Sequence, residues 1–195
     1  MNKPVTATNL RALAPQFVTI ANQYADASTR ETGVNRGAAV EWMQQTVHIP
    51  PGSSWCAAFV YAVMLKVWCQ AQGLMTAPTA EGNRPIMLAH ADEFSRETLI
   101  PRTGYCPTIA DIAKRQNRFH GPAFAPSAGD LVTFDFHNQG EPHHVAFVRG
   151  VRADGQLLTT EGNTSAGAGG SQADGDGVFK RVRSRVSVYG FVHFE

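Results

Sequence analysis

The sequence has no surplus of charge of either sign. Lys and Arg number 17 against 16 Asp and Glu, a formal net charge of +1. A chain that neutralises a run of phosphates needs an excess of cations, so the balance argues against a dedicated nucleic-acid binder while leaving room for a local basic patch, with Lys180 to Arg185 as the candidate. Long apolar runs are missing as well, and none approaches the length of a membrane span, so no insertion into a bilayer is expected. The opening Met1-Asn2-Lys3-Pro4-Val5 lacks the continuous apolar core of a signal peptide, which implies synthesis in the cytoplasm without a cleaved signal. Cysteine is scarce: Cys56, Cys69 and Cys106, an odd number without a Cys-x-x-Cys pair. That excludes a disulfide framework and supplies no zinc site. A Cys69–Cys106 bridge stays open, since nothing in the sequence demands it.

What is present is the material of a globular fold. A chain of 195 residues with 43% hydrophobic and 17% charged content can bury a real core. Its length and the absence of internal repeats indicate one domain over residues 1–195. The order of elements is helical first. Leu10, Leu13, Phe17, Ile20, Ala21 and Tyr24 form an apolar stripe in a helix expected from Thr8 to Ala27, with Thr8 or Asn9 as cap and Pro15 as a point where it could split. A second helix is expected from about Arg36 to Val47. Pro50-Pro51-Gly52 then stops the chain before a third, apolar helix that runs to about Gly73. Residues 75–126 carry scattered Pro and Gly with short helical pieces, Ile86 to Ser95 and Thr108 to Arg115, and read as an insertion of helices and loops around residues 74–126. Cys106 falls in a loop on this reading.

From Gly129 the pattern alternates as strands do. Residues 130–136, 144–151, 157–162, 177–185 and 186–194 are expected to form an antiparallel sheet of about five strands, with Asp154-Gly155 in a hairpin turn. Helices followed by such a sheet make an α+β fold. The segment Lys180-Arg181-Val182-Arg183-Ser184-Arg185 would place Arg181, Arg183 and Arg185 on one strand face, which reads as a solvated face.

Chemistry gathers around Gly52-Ser53-Ser54-Trp55-Cys56-Ala57-Ala58-Phe59-Val60. With Ser53 or Ser54 as N-cap, Cys56 lies in the first turn of a buried helix. Free N–H groups and the helix dipole favour its thiolate there. A cysteine nucleophile needs a base, and His143 and His144 open the strand 144–151, on opposite faces. Spacing alone does not say which faces the helix. Glu161 and Asn163, two apart at the end of the next strand, place an acid or an amide where it orients an imidazole and fixes its tautomer.

These pieces resemble the CHAP (cysteine, histidine-dependent amidohydrolase/peptidase) domain of the papain-like superfamily. The matching stretches are Glu31-Thr-Gly-Val-Asn35-Arg-Gly37, Gly52 to Val60, Ala128-Gly129-Asp130-Leu131-Val132, His144 to Val148, Glu161-Gly162-Asn163-Thr164-Ser165 and Gly190-Phe191-Val192, in the family's order. The resemblance implies a papain-like fold with the nucleophile at a helix N-terminus packed on the sheet. It implies Cys56 as nucleophile, His144 rather than His143 as general base, Glu161 as the residue that orients it, and Asn163 as an orienting or oxyanion-stabilising group. No cofactor is implied. Some members bind calcium through an acidic loop upstream of the cysteine, but residues 45–55 hold no Asp or Glu, and Asp174 and Asp176 are too few to replace it, so no metal is expected.

The function implied is peptidoglycan hydrolysis, as an N-acetylmuramoyl-L-alanine amidase or a stem or cross-bridge endopeptidase, by a monomer. The settings that fit are a phage lysin, or an antibacterial effector delivered by a secretion apparatus and neutralised by an immunity protein. Either would act on the cell wall or in the periplasm. The alternatives are a cytosolic thiol hydrolase or transferase acting on a protein amide, and a silent wall-binding module that keeps the fold.

Overall fold

The computed structural model describes residues 10–77, 79–167, 171 and 174–194. Six helices come first: α1 (Leu10–Asp26), α2 (Ala38–Thr46), α3 (Cys56–Ala71), α4 (Ala80–Ala89), α5 (Ala91–Thr98) and α6 (Cys106–Arg115). Six strands follow: β1 (Phe119–His120), β2 (Leu131–Phe134), β3 (His144–Val151), β4 (Leu157–Thr164), β5 (Gly177–Arg183) and β6 (Val188–Val192). They form one open antiparallel sheet in the order β1-β6-β2-β3-β4-β5. The fold is α+β, as the order of elements implies.

The helix α3 is the axis of the molecule. Its residues from Cys56 to Leu65 are all buried, with Val67, Trp68 and Cys69 beyond them. A helix apolar on every side has to be enclosed on every side. Here α1 and α2 flank it and β3 and β4 cover the remaining face. Phe59 meets Phe147 of β3 edge to face at 6.2 Å, and Phe17 of α1 packs on the same ring at 6.1 Å. Such aromatic contacts fix the angle of the helix on the sheet as well as contributing burial.

The β4 strand approaches α3 unusually closely, and Gly162 explains how. A Cβ at this position would stand 2.6 Å from Phe59 Cβ and 2.9 Å from the Trp55 ring. Only a residue without a side chain lets the strand lie this near the start of α3. The glycine inside the Glu161-Gly162-Asn163 motif is therefore what lets this part of β4 lie against the start of α3.

Several expectations are corrected. Thr8 and Asn9 lie outside the described residues, and α1 runs unbroken through Pro15. The piece expected from Ile86 to Ser95 is two helices, α4 and α5, divided at His90. Cys106 is the first residue of α6 and not a loop residue, because Pro107 suits the first turn of a helix, where no N–H is required of it. The sheet gains a sixth strand, β1, whose two residues pair with β6 and are too few to show alternation. The chain after β5 makes a 3-10 turn at Arg185–Ser187 before β6.

Nor is the arginine face solvated. Arg183 is 7% exposed. Arg181 donates to the carbonyls of Ser165 and Ala166, while Arg185, beyond the strand, donates to those of Gly155, Pro122 and Phe124. Among the described residues, no helix is long and apolar enough to cross a membrane.

Candidate active site

Cys56 is the first residue of α3, and Trp55 holds the N-cap position without a side-chain cap. The expectation of a Ser53 or Ser54 cap is therefore overturned: Ser54 Oγ instead lies 3.5 Å from Asp174 Oδ1. The first N–H groups of α3 stay without a side-chain acceptor, so the positive end of the helix dipole acts on the thiol. Trp55 is held from the other side, its Nε1 donating to Glu31 Oε1 at 2.7 Å. Glu31 Oε2 accepts the Asn35 N–H at 2.7 Å. The loop between α1 and α2 thus clamps the residue just before Cys56.

His144 opens β3 on the face toward α3 and is fully buried. The strand's register turns the two histidines to different surroundings. His143 turns the other way, its Nδ1 3.5 Å from Asp135 Oδ1, and only its carbonyl approaches Cys56, at 4.0 Å from Sγ. His144 Nε2 lies 3.0 Å from Glu161 Oε2. Because a carboxylate accepts there, Nε2 carries a proton and Nδ1 is the nitrogen left for the thiol. No hydrogen bond to Nδ1 closes in this geometry, yet Cys56 and His144 shift each other's ionisation in the sense of a hydrogen-bonded pair. Hydrogen bonds of this kind are often long before substrate binds.

Glu161 is a buried carboxylate with both oxygens engaged. Oε1 accepts from Thr159 Oγ1 at 2.5 Å and Arg183 Nε at 2.8 Å, while Oε2 accepts from Arg183 Nη2 at 2.5 Å and faces His144. Thr159 stands two residues before it on the same strand face. The Arg183 guanidinium in turn lies 5.2 Å from the centre of the Phe136 ring, which stacks on Phe134 at 5.1 Å. That aromatic pair shields the ion pair from water. Burial, the largest influence on Glu161, pushes its carboxyl up, but Arg183 and His144 together outweigh it and hold it at about 2.

The ionisation of the other groups follows the same geometry. Cys106 Sγ is 3.5 Å from Cys56 Sγ. This contact, first, and His144 after it, hold the Cys56 thiol well below the usual range against its burial. For His144 the largest influence is again burial, which lowers it, but Cys56 and Glu161 raise it to about 9. Both shifts favour a thiolate–imidazolium pair at neutral pH. Cys106 moves the opposite way, pushed well above the usual range by the neighbouring Cys56 and by burial. Burial and Glu93 lift Cys69 to about 12. Iodoacetamide at neutral pH should therefore label Cys56 well ahead of Cys69 and Cys106. A thiolate with a lowered pKa is complete above that pKa and lost as pH falls through it. The labelling rate should hold level below neutrality, then rise as pH passes about 9 and the His144 proton leaves. Peptide mapping of timed samples across pH checks this, and equal labelling of all three thiols would contradict an activated pair.

Asn163 is buried with a left-handed φ of 58°. Its amide donates to Asp174 Oδ1 at 3.4 Å, and the same oxygen accepts from Asn35 at 3.3 Å. Asn163 thus supports the segment in front of α3, and Glu161 is the group at His144. Three contributors had no assigned role in the sequence reading: Cys106, Arg183 and Thr159. The alternation that pairs Thr159 with Glu161 was a usable signal. Nothing in the sequence separated an inward Arg183 from a solvated one. Among the described residues, no group of His, Cys, Asp and Glu is placed to hold a metal ion.

Cys56 and Cys106 lie in a cleft of about 240 Å³, walled by Ser54, Tyr105, Pro107, Glu141 and His143. A second cavity, between α3, α6 and the sheet, is apolar and includes neither thiol.

A cysteine at a helix N-terminus, faced by a histidine and carboxylate carried on an antiparallel sheet, is the arrangement of the papain-like thiol hydrolases. The family model described as the CHAP domain matches residues 48–163, more than half of the chain. The chain belongs to the CHAP domain family, whose members are generally cysteine- and histidine-dependent amidohydrolases. Searches of the curated proteins and of the solved structures find no match. The matched span holds Cys56, Cys106, His144 and Glu161, and leaves Glu31 and Arg183 outside it.

Proposed function

We propose that this protein is a peptidoglycan hydrolase that cleaves an amide bond through a thioester intermediate on Cys56. The observation that carries the reading is the buried Cys56, His144 and Glu161 set, with His144 bound to Glu161 at 3.0 Å. The Cys56 thiolate attacks the amide carbonyl. Negative charge gathers on its oxygen, and the uncapped backbone N–H of Cys56 is a donor aimed at that charge. The His144 imidazolium gives its proton to the leaving amine, and the neutral ring then takes a proton from the water that hydrolyses the thioester. Glu161 keeps the ring in one orientation and tautomer, held itself by Arg183 and Thr159. Asn163 acts by positioning the loop before the nucleophile, through Asp174.

The wall as substrate is supported by family membership and by the cleft, which combines the polar Ser54, Glu141 and His143 with Tyr105, an aromatic residue 58% exposed. Such a lining suits a peptide joined to a sugar. The complete set of reacting groups speaks against a silent binding module. A lysin released through a damaged membrane and an effector with an immunity partner would use the same chemistry. The test is mass spectrometry of soluble fragments from purified peptidoglycan. Free stem peptides beside intact sugar chains would establish an amidase, and shortened stems or opened cross-links an endopeptidase. No fragments from any wall type would refute the wall as substrate.

A further inference from the structure

We propose that Cys56 and Cys106 form a reversible redox pair, in which a hydroperoxide oxidises Cys56 and Cys106 then closes it as a disulfide. The two residues are fifty positions apart in sequence, yet each is the first residue of a helix, and the starts of α3 and α6 converge so that the sulfurs stand 3.5 Å apart. Both are free thiols. A disulfide requires a separation of about 2.05 Å, so the sulfurs need to approach by roughly 1.5 Å, within reach of small side-chain rotations.

The approach of Cys106 is built into the fold. Gly104, two residues earlier, lies so close to Ile49 that a Cβ there would stand 2.8 Å from two of its carbons. The segment leading to α6 is thereby pressed against the chain that precedes α3. The thiols also border the 240 Å³ cleft, which admits a molecule the size of hydrogen peroxide. Cys69, the third cysteine, is buried further along α3 and is neither a cleft residue nor a neighbour of the pair.

The chemistry is asymmetric in the way such a pair requires. Cys56 is the thiolate and reacts first, while Cys106 stays a thiol and is spared direct oxidation. The thiolate attacks one peroxide oxygen, the O–O bond breaks, and Cys56 becomes a sulfenic acid as hydroxide leaves and takes the His144 proton. The Cys106 sulfur then attacks the Cys56 sulfur. The S–O bond breaks, the S–S bond forms, and the Cys106 proton departs with the leaving hydroxide as water. Two electrons pass from the two sulfurs to the peroxide, and a dithiol reductant returns them with two protons. Without Cys106 the sulfenic acid is exposed to a second peroxide and passes to the irreversible sulfinic acid. That the disulfide shuts a hydrolytic site rests on the function proposed above; the disulfide itself does not.

The test treats the whole protein with hydrogen peroxide and reads it by intact mass and peptide mapping, neither of which needs a substrate. The expected result is a loss of two hydrogen masses, a peptide joining Cys56 to Cys106, Cys69 still alkylatable, and full reversal by dithiothreitol. Cys106→Ser keeps a hydrogen-bond donor beside Cys56 but removes the resolving sulfur. It should gain two oxygen masses at Cys56 that dithiothreitol does not remove. A wild-type protein that gains those oxygens with no cross-link, or one whose cross-link uses Cys69, would overturn the proposal. Both outcomes are read on the unmodified sequence and do not depend on how the variant folds. They also stay distinct from a failure to release wall fragments.

Discussion

Cys56→Ala should release no peptide from peptidoglycan, with kcat/KM falling by about 10⁴ or more, the scale seen when the nucleophile of a comparable set is removed. The argument is about the reaction coordinate: with no thiol there is no thioester, and what is left is binding and backbone donation to the carbonyl oxygen. The thermal midpoint should change little, since Cys56 packs at the rim of the core and alanine fills the same first helical turn. Cys56→Ser should fare hardly better, because an alcohol beside an imidazole lacks the ionisation that Cys106 and His144 give the thiol. The double variant Cys56→Ala/His144→Ala should be no slower than either single one, as groups acting in one step do not contribute independently. Fragment release by each variant, with circular dichroism to show folding, checks the set. Undiminished release by Cys56→Ala would end the assignment.

Arg183→Met should be the most damaging change to stability. It leaves Glu161 charged, fully buried and stripped of its two guanidinium bonds. Removing one partner of a buried pair costs about 3–5 kcal/mol, which for a chain of this length lowers the thermal midpoint by about 10 °C. The dependence on acid follows by linkage. Glu161 sits at about 2, against 4.5 for a free glutamate. Its contribution is fully present above 4.5 and is lost as pH falls through about 2. Without Arg183 the carboxyl rises, so less stability is lost on protonation, and the gap between variant and wild type should be widest near neutrality and narrow as pH falls through 4.5 toward about 2. The double variant Arg183→Met/Glu161→Met removes both charges and should recover much of the stability while staying inactive, because nothing then orients His144. Urea midpoints measured from neutral pH into acid separate these outcomes. An Arg183→Met midpoint equal to wild type at every pH would contradict the buried pair.

The parts legible in the sequence were those set by local periodicity. The apolar run from Phe59 to Trp68 announces α3, and the alternation around His144 and Glu161 announces β3 and β4. The Cys56–His144–Glu161 line was readable because a helix start and two adjacent strands leave few ways to arrange three such residues, and the family resemblance chose His144 over His143. What stayed hidden depends on contacts between distant elements. Arg183 reads as one of several alternating arginines until β5 is laid beside β4. Cys106 reads as a loop residue until α6 turns its first residue toward α3. The absence of a serine cap at α3 was equally invisible, because Ser53 and Ser54 both have the right chemistry and only the path of the chain takes them elsewhere.

The place of β6 in the sheet bears on how the protein is made. It is the last strand in sequence among the described residues, yet it lies inside the sheet, hydrogen-bonded to β1 on one side and β2 on the other. While the ribosome is still extending the chain, β3, β4 and β5 can pair among themselves, but one edge of β2 has no neighbour until Val188–Val192 emerge. The buried Asp130 waits likewise, because two of its partners are His193 and the N–H of Phe194. Pairing among the described strands is therefore completed only once β6 has emerged. A nascent chain exposes an open strand edge until that moment, a template for pairing with its neighbours on the same messenger. Deleting Val188–Val192 would part β1 from β2 and strip β2 of a neighbour along one whole edge.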